Sequence, residues 1–196
     1  MKKQILLFIF TYLPIVVSAQ GIQKGYHGFA DVGYCHYISQ TNPSTFEVTT
    51  SHGYQFNPYI FLGAGVGFDF TGKAEWGDVS GMPYKKRDSK VDIPIFFNAR
   101  ANITKTRICP FVDARVGAYV NNEGGIYANL AVGGRYEVDK NKGVSVSFGY
   151  ELRKVTVQEL RLVPGSKYNG YSSEYYYKDR TGESVDGFVF KVGFDF

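Results

Sequence analysis

The chain has 196 residues, about the size of one domain, with 22 Lys+Arg against 18 Asp+Glu and a formal charge of +4. So small an excess gives no case for nucleic-acid binding. The 16 Tyr, 16 Phe and 23 Gly, beside two Met and one Trp, point away from a helical protein, because aromatic and β-branched residues favour pleated strands and helix-forming runs of Ala, Leu, Glu and Lys are missing.

The chain opens with MKKQILLFIFTYLPIVVSAQ. Lys2 and Lys3, an apolar run from Ile5 to Val17 and the small pair Ser18 and Ala19 have the layout of a secretory signal peptide. Pro14 interrupts the run, which is shorter than the ~20 residues a spanning helix needs. Cleavage after Ala19 is expected, so residues 1–19 are the signal and 20–196 the folded domain. Losing Lys2 and Lys3 lowers the charge from +4 to +2. No later stretch is apolar for long enough to cross a membrane as a helix, so any crossing would use strands.

Period-2 alternation then predicts eight strands, near 25–37, 46–56, 59–71, 90–103, 108–120, 126–138, 143–157 and 184–196. The first alternates poorly. The third sets Ile60, Leu62, Ala64, Val66, Phe68 and Phe70 against Gly63, Gly65, Gly67 and Asp69. In the fourth, Val91, Ile93, Ile95, Phe97, Ala99, Ala101 and Ile103 make an unbroken apolar face, opposite Asp92, Pro94, Phe96, Asn98, Arg100 and Asn102. Pro94 and Pro110 each remove a ladder donor and mark bulges or strand ends. The last strand ends on GFVFKVGFDF, with Phe188, Phe190, Val192, Phe194 and Phe196 on one face.

The connections alternate as well. Asn57–Pro58, 104–107 and 139–143 are tight turns, whereas 38–45, 72–89 and 158–183 are long; 121–125 is the short exception. Short turns at one end, long loops at the other and an even strand count describe an all-β, eight-stranded antiparallel up-and-down transmembrane β-barrel.

A soluble ligand-binding barrel alternates too, with its apolar face inward. The second face decides against it. That face collects Asp31, Glu47, Asp69, Asp92, Asp113, Glu137, Glu151 and Asp195 with Arg100, Arg115, Arg135, Arg153 and Lys191, spaced by Gly, Ser and Asn. Such a face suits a narrow lumen of ion pairs and small side chains. Tyr54, Phe56, Tyr119, Tyr136 and Tyr150, near strand ends, are expected in the interfacial girdles.

The signal ending VVSAQ, the strand–turn–strand HGYQFNPYIFLGAGVGFDF (52–70) and the terminal aromatic strand resemble the outer-membrane β-barrel (porin-like) family of Bacteroides-type bacteria. More broadly the chain resembles small barrels of the OmpA/OmpX type. The resemblance spans the mature chain. It implies a Gram-negative cell-envelope protein, a monomer in the outer membrane with both termini periplasmic. Its partners would be outer-membrane lipids and lipopolysaccharide. Phe190, Phe194 and Phe196 resemble the terminal signal read by the barrel-assembly machinery, although Lys191 stands where a glycine is usual.

Catalytic chemistry finds little support. An acyl-modifying enzyme needs a nucleophile, a base and an orienting group within hydrogen-bond reach. His27 falls near the inner end and His36 near the outer end. His52 points at lipid or the interface, with Ser51 on the opposite face. No cofactor, catalytic residue or metal ligand set is expected. Cys35 and Cys109 stand on opposite walls at heights differing by roughly 20 Å, beyond disulfide reach, and are expected to be free thiols. In the second loop Lys85, Lys86 and Arg87 either hold lipid phosphates or form a solvated loop. In the fourth, Tyr168, Tyr171 and Tyr175 either recognise an extracellular protein or glycan, or belong to a hairpin rising above the membrane, with 164–170 as its tip. The leading reading is a barrel with a structural or surface-interaction role. A narrow passive channel or carrier is the alternative, and a lipid A-modifying enzyme is third.

Overall fold

The fold is that of a computed structural model, which describes residues 24–38, 44–79, 81–121, 125–139, 142–162 and 175–196. The expected signal peptide, Tyr168, Tyr171 and the 164–170 tip lie outside the described residues. The strands in chain order are β1 (Gly25–Tyr37), β2 (Thr45–Asn57), β3 (Ile60–Thr71), β4 (Ala74–Val79), β5 (Met82–Arg87), β6 (Lys90–Asp92), β7 (Pro94–Asn102), β8 (Ile108–Tyr119), β9 (Ile126–Asp139), β10 (Lys142–Leu162) and β11 (Tyr175–Asp195).

Pairing runs β11-β1-β2-β3-β7-β8-β9-β10 and returns to β11, all antiparallel, so the sheet closes on itself as an eight-stranded barrel. β6 and β7 are one wall strand broken at Ile93. Asp69↔Asp92 and Val66↔Ile95 keep the same register on β3 across the break. Pro94, which has no N–H to donate, is the physical reason for the gap. The strand-to-strand links also follow the expected alternation. Asn57 Oδ1 accepts from Tyr59 N (2.8 Å) and Ile60 N (3.0 Å) and so folds the β2–β3 turn.

The expected poor alternation of β1 is confined to its first residues. From Ala30 onward exposure alternates residue by residue. The irregularity is Gly28, which is covered by the ring of Phe196: a Cβ on Gly28 would meet Phe196 Cε2 at 2.6 Å. Gly28 and Phe196 exchange backbone hydrogen bonds at 2.8 and 2.9 Å, which seals the first strand to the last.

One expected loop is instead a pair of strands, and the fourth loop takes the form of the rising hairpin that is one of its two readings. Residues 72–89 carry the β4–β5 hairpin, and β10 and β11 stay paired from Glu151↔Gly187 up to Leu162↔Tyr175. The β9–β10 pairing ends at Arg153↔Tyr127, so β10 and β11 rise about 30 Å past the wall at the strand rise per residue. β5 joins them through Gln158↔Lys86 and Glu159↔Lys85, giving a projecting sheet in the order β11-β10-β5-β4. In these segments the apolar residues change faces partway, Val155 and Val157 giving way to Leu160 and Leu162, and β5 ends on three cations, so they lack the sustained alternation that betrays a half-buried strand. Hairpin pairing, and for β5 its contact with the distant β10, makes them strands.

The barrel is turned inside out relative to a soluble one. Large apolar side chains cover its outer wall, Phe97 (78 % exposed) most of all, while charged residues fill its interior. Packed rings complete the filling. Phe29 meets Phe61 edge-on with centroids 4.7 Å apart, and Phe96 lies 5.5 Å from Tyr127. Gly63 and Gly65 make room for these rings: a Cβ at either would approach Phe61 or Phe96 to 2.6 Å.

Candidate functional site

All the charged residues assigned to the second face lie buried in the lumen: Asp31, Glu47, Asp69, Asp92, Arg100, Asp113, Arg115, Arg135, Glu137, Glu151, Arg153, Lys191 and Asp195. They sit there because strand parity is preserved around the whole barrel. Glu47 is level with Asp69, Arg100 with Asp113, and Glu151 with Asn129.

They form tiers. Nearest the loop end, Arg153 gathers three carboxylates: Glu47 at 2.8 Å, Asp69 at 3.5 Å, and Glu151, which accepts from Nε at 3.0 Å. Lys191 shares that tier, 3.3 Å from Glu47 and 3.9 Å from Glu151, and donates to the Tyr127 hydroxyl at 3.3 Å. In the middle, Arg115 donates to Asp31 (2.6 Å), Asp113 (2.8 Å) and Thr49 (3.0 Å). Toward the turn end Arg100 binds Asp113 at 2.9 Å with its guanidinium between the rings of Phe29 (3.8 Å) and Phe111 (4.3 Å). Asp195 then pairs with Arg135 and lies 3.7 Å from Arg100. Planar guanidinium groups suit this place, since they bridge two acids and still stack on aromatic faces.

Two sequence-based placements need correction. Tyr119, expected in the girdle, is 5 % exposed and donates to Asp69 Oδ2 at 2.8 Å. It shares the parity of Asp113 and Arg115, a signal that its place near a strand end obscured. Tyr54, Phe56, Tyr136 and Tyr150 do face outward. The Lys85–Lys86–Arg87 segment is not a solvated loop. Arg87 turns inward to pair with buried Asp92, Lys85 pairs with Glu183 at 2.7 Å, and Lys86 sits 3.8 Å over the ring of Tyr177. With its cations so engaged, the segment no longer offers an open cluster to phosphate. Tyr175 is a strand residue paired with Leu162.

Phe190, Phe194 and Phe196 all face outward, and Phe196 packs 5.9 Å from His52. His52 also bonds Tyr26 (2.6 Å) and Thr50 (3.0 Å) on that wall. His36 lies 3.3 Å from Ser44 Oγ at the loop end. His27 is buried in the lumen, edge-on to Phe29, with neither ring nitrogen bonded; Ser51 Oγ and Gln55 Oε1 nearby are likewise without a partner. Cys35 and Cys109 are free and buried. The sequence reading missed one juxtaposition: ligand atoms of Cys35, Glu47 and Glu151 lie within 4.8 Å of one another. Both carboxylates already serve Arg153 and Lys191, so a cation there would compete with two resident positive charges.

The chain is thus an all-β, closed eight-stranded antiparallel barrel with an ion-paired lumen and an apolar outer wall. No protein-family model matches it, and no curated protein does. Among solved structures it is similar to the solution NMR structure of the de novo designed TMB2.3, at 17% identity and a TM-score of 0.43, over 90% of this chain and 95% of that one.

Proposed function

We propose that this chain is an integral outer-membrane β-barrel with a structural or surface-interaction role and no enzymatic activity. The observation that carries the reading is the inverted distribution of side chains: an apolar wall outside, and inside it arginines and carboxylates that are almost wholly buried. In water such a wall would leave a far larger apolar surface exposed than a soluble monomer tolerates. In lipid it is the stable arrangement, and closure leaves no unpaired strand edge in the wall. Export by the expected signal peptide fits this reading. It puts both chain ends and the tight turns on the periplasmic side and the projecting β11-β10-β5-β4 sheet on the outside, where it is the surface available to an extracellular protein or glycan.

An eight-stranded barrel is just wide enough for side chains to fill. Tiers of arginine, carboxylate and aromatic ring occupy this one, which favours a closed plug over a diffusion pore. The narrow-channel reading draws on one feature, the partnerless His27 ring nitrogens, Ser51 Oγ and Gln55 Oε1 toward the turn end, which are polar groups of the kind that line hydrated paths. The test is reconstitution into phospholipid vesicles and planar bilayers. The plug reading expects membrane integration, a heat-dependent shift on denaturing gels and no unitary conductance steps. Stable conductance steps would favour the channel, and a soluble protein without a gel shift would remove both readings.

A further inference from the structure

The two ends of the barrel differ in charge. At the loop end, exposed cations and acids are equal in number among the described residues, four of each, beginning with the Lys73–Glu75 pair at 2.6 Å. At the turn end, Lys24, Lys105, Arg107 and Lys142 are exposed, with Asp139 the one exposed acidic side chain among the described residues.

The turn-end cations are also held at a particular depth. Lys105 Nζ sits 5.0 Å from the ring of Tyr59, and the Arg107 guanidinium 5.2 Å from that of Tyr136. Arg107 is further fixed by donation from Nε to the Glu137 carbonyl at 3.1 Å. Tyr59 and Tyr136 belong to the outward aromatic ring at this end, the depth at which amphipathic rings meet lipid headgroups. Cations stacked on that ring therefore project at headgroup level, where they meet phosphate rather than bulk water.

We infer that the turn end of the barrel is a basic collar that selects anionic phospholipid headgroups in the leaflet it faces. This rests on the membrane-spanning reading above. The chemistry is phosphate recognition by a ring of cations, and the source is the phosphodiester of a bilayer phospholipid. Phosphorylated glycolipid would lie in the opposite leaflet, at the end where charge is balanced. A cation close to an anionic leaflet favours it by about fivefold, and the effect fades within a Debye length.

The experiment uses the folded chain in vesicles of phosphatidylcholine and phosphatidylglycerol at four to one. Electron spin resonance of headgroup-matched spin-labelled lipids gives the relative association of each lipid with the barrel wall. Phosphatidylglycerol should associate about threefold more strongly than phosphatidylcholine at low salt, and the preference should vanish in 0.5 M NaCl, where screening is short-ranged. The K24Q/K105Q/R107Q/K142Q variant should lose the preference while keeping its heat-dependent gel shift. A loop-end variant, K73Q/R161Q/K178Q, should retain it. Equal association of the two lipids with the unaltered barrel, or a preference that survives in the turn-end variant, overturns the collar. Absence of a motionally restricted component for either lipid would instead defeat the membrane-spanning reading, and the collar with it.

Discussion

Arg153 is the side chain on which the loop-end tier depends, because Glu47, Asp69 and Glu151 all converge on it and only Lys191 shares the task. A buried ion pair owes little of its value to Coulomb attraction alone, since desolvation takes back most of the gain. Removing one partner is a different matter, because Glu47, Asp69 and Glu151 are left buried together with Lys191 as the one cation beside them. Arg153→Met should therefore destabilise the folded barrel by about 3–5 kcal/mol, read as a lower urea midpoint for loss of the gel shift. A change below about 1 kcal/mol would show that water reaches this tier and solvates the acids, as it does at exposed pairs. The two faces of β9 offer a paired test. Leu130 is exposed on the apolar wall, and Leu130→Arg should cost about 2–4 kcal/mol of insertion at mid-membrane. Asn129 is buried and donates to Glu151 at 3.5 Å, so Asn129→Arg acts by crowding the ion pairs instead. Normal folding of Leu130→Arg together with failed insertion of Asn129→Arg would invert the face assignment.

The elements were legible in the sequence wherever one face is buried and the other is not. Period 2 then fixes which residue goes where, and so the acids and bases of the lumen could be named from parity. It fails where that contrast ends. β4, β5 and the upper parts of β10 and β11 stand clear of the wall, and neither face of them supplies a consistent apolar signal. Arg87 was unreadable for the same reason, because its partner Asp92 is reached only once β5 folds back over the barrel mouth. Tyr119 was misread because aromatic character near a strand end fits a girdle as well as a lumen cap. The bulge between Val155 and Val157 marks where wall becomes projection. Excising 156–182 and joining Val155 to Glu183 through an Asn-Gly turn should leave a barrel that folds and keeps its gel shift. The loss should be about 1.5–3 kcal/mol, the burial of Val157, which packs with Cys35, Tyr37, Val185 and Val189 over the mouth. Failure to fold would mean the projecting sheet is part of the folding unit and not an appendage.

At the scale of the whole molecule, everything depends on closure, because an open eight-stranded sheet in lipid would leave two rows of unpaired backbone groups. Closure runs from Tyr37↔Gly187 to Phe29↔Asp195 and ends in the mutual hydrogen bonds of Gly28 and Phe196. Deleting Phe196 removes those two bonds, each contributing about 1 kcal/mol net, and uncovers Gly28, whose backbone its ring shields. The rest of the β1–β11 ladder and the Asp195 pairing with Arg135 stay in place, so the deleted chain should still refold into detergent, with a modestly lower midpoint. Biogenesis poses a separate demand. If the outward row Phe190, Phe194 and Phe196 is also read by an assembly machine, the deletion should lower outer-membrane levels in cells far more than it lowers refolding yield in vitro. Equal and small effects in both settings would reduce Phe196 to a strand-sealing side chain, and the row of phenylalanines to ordinary members of the apolar wall.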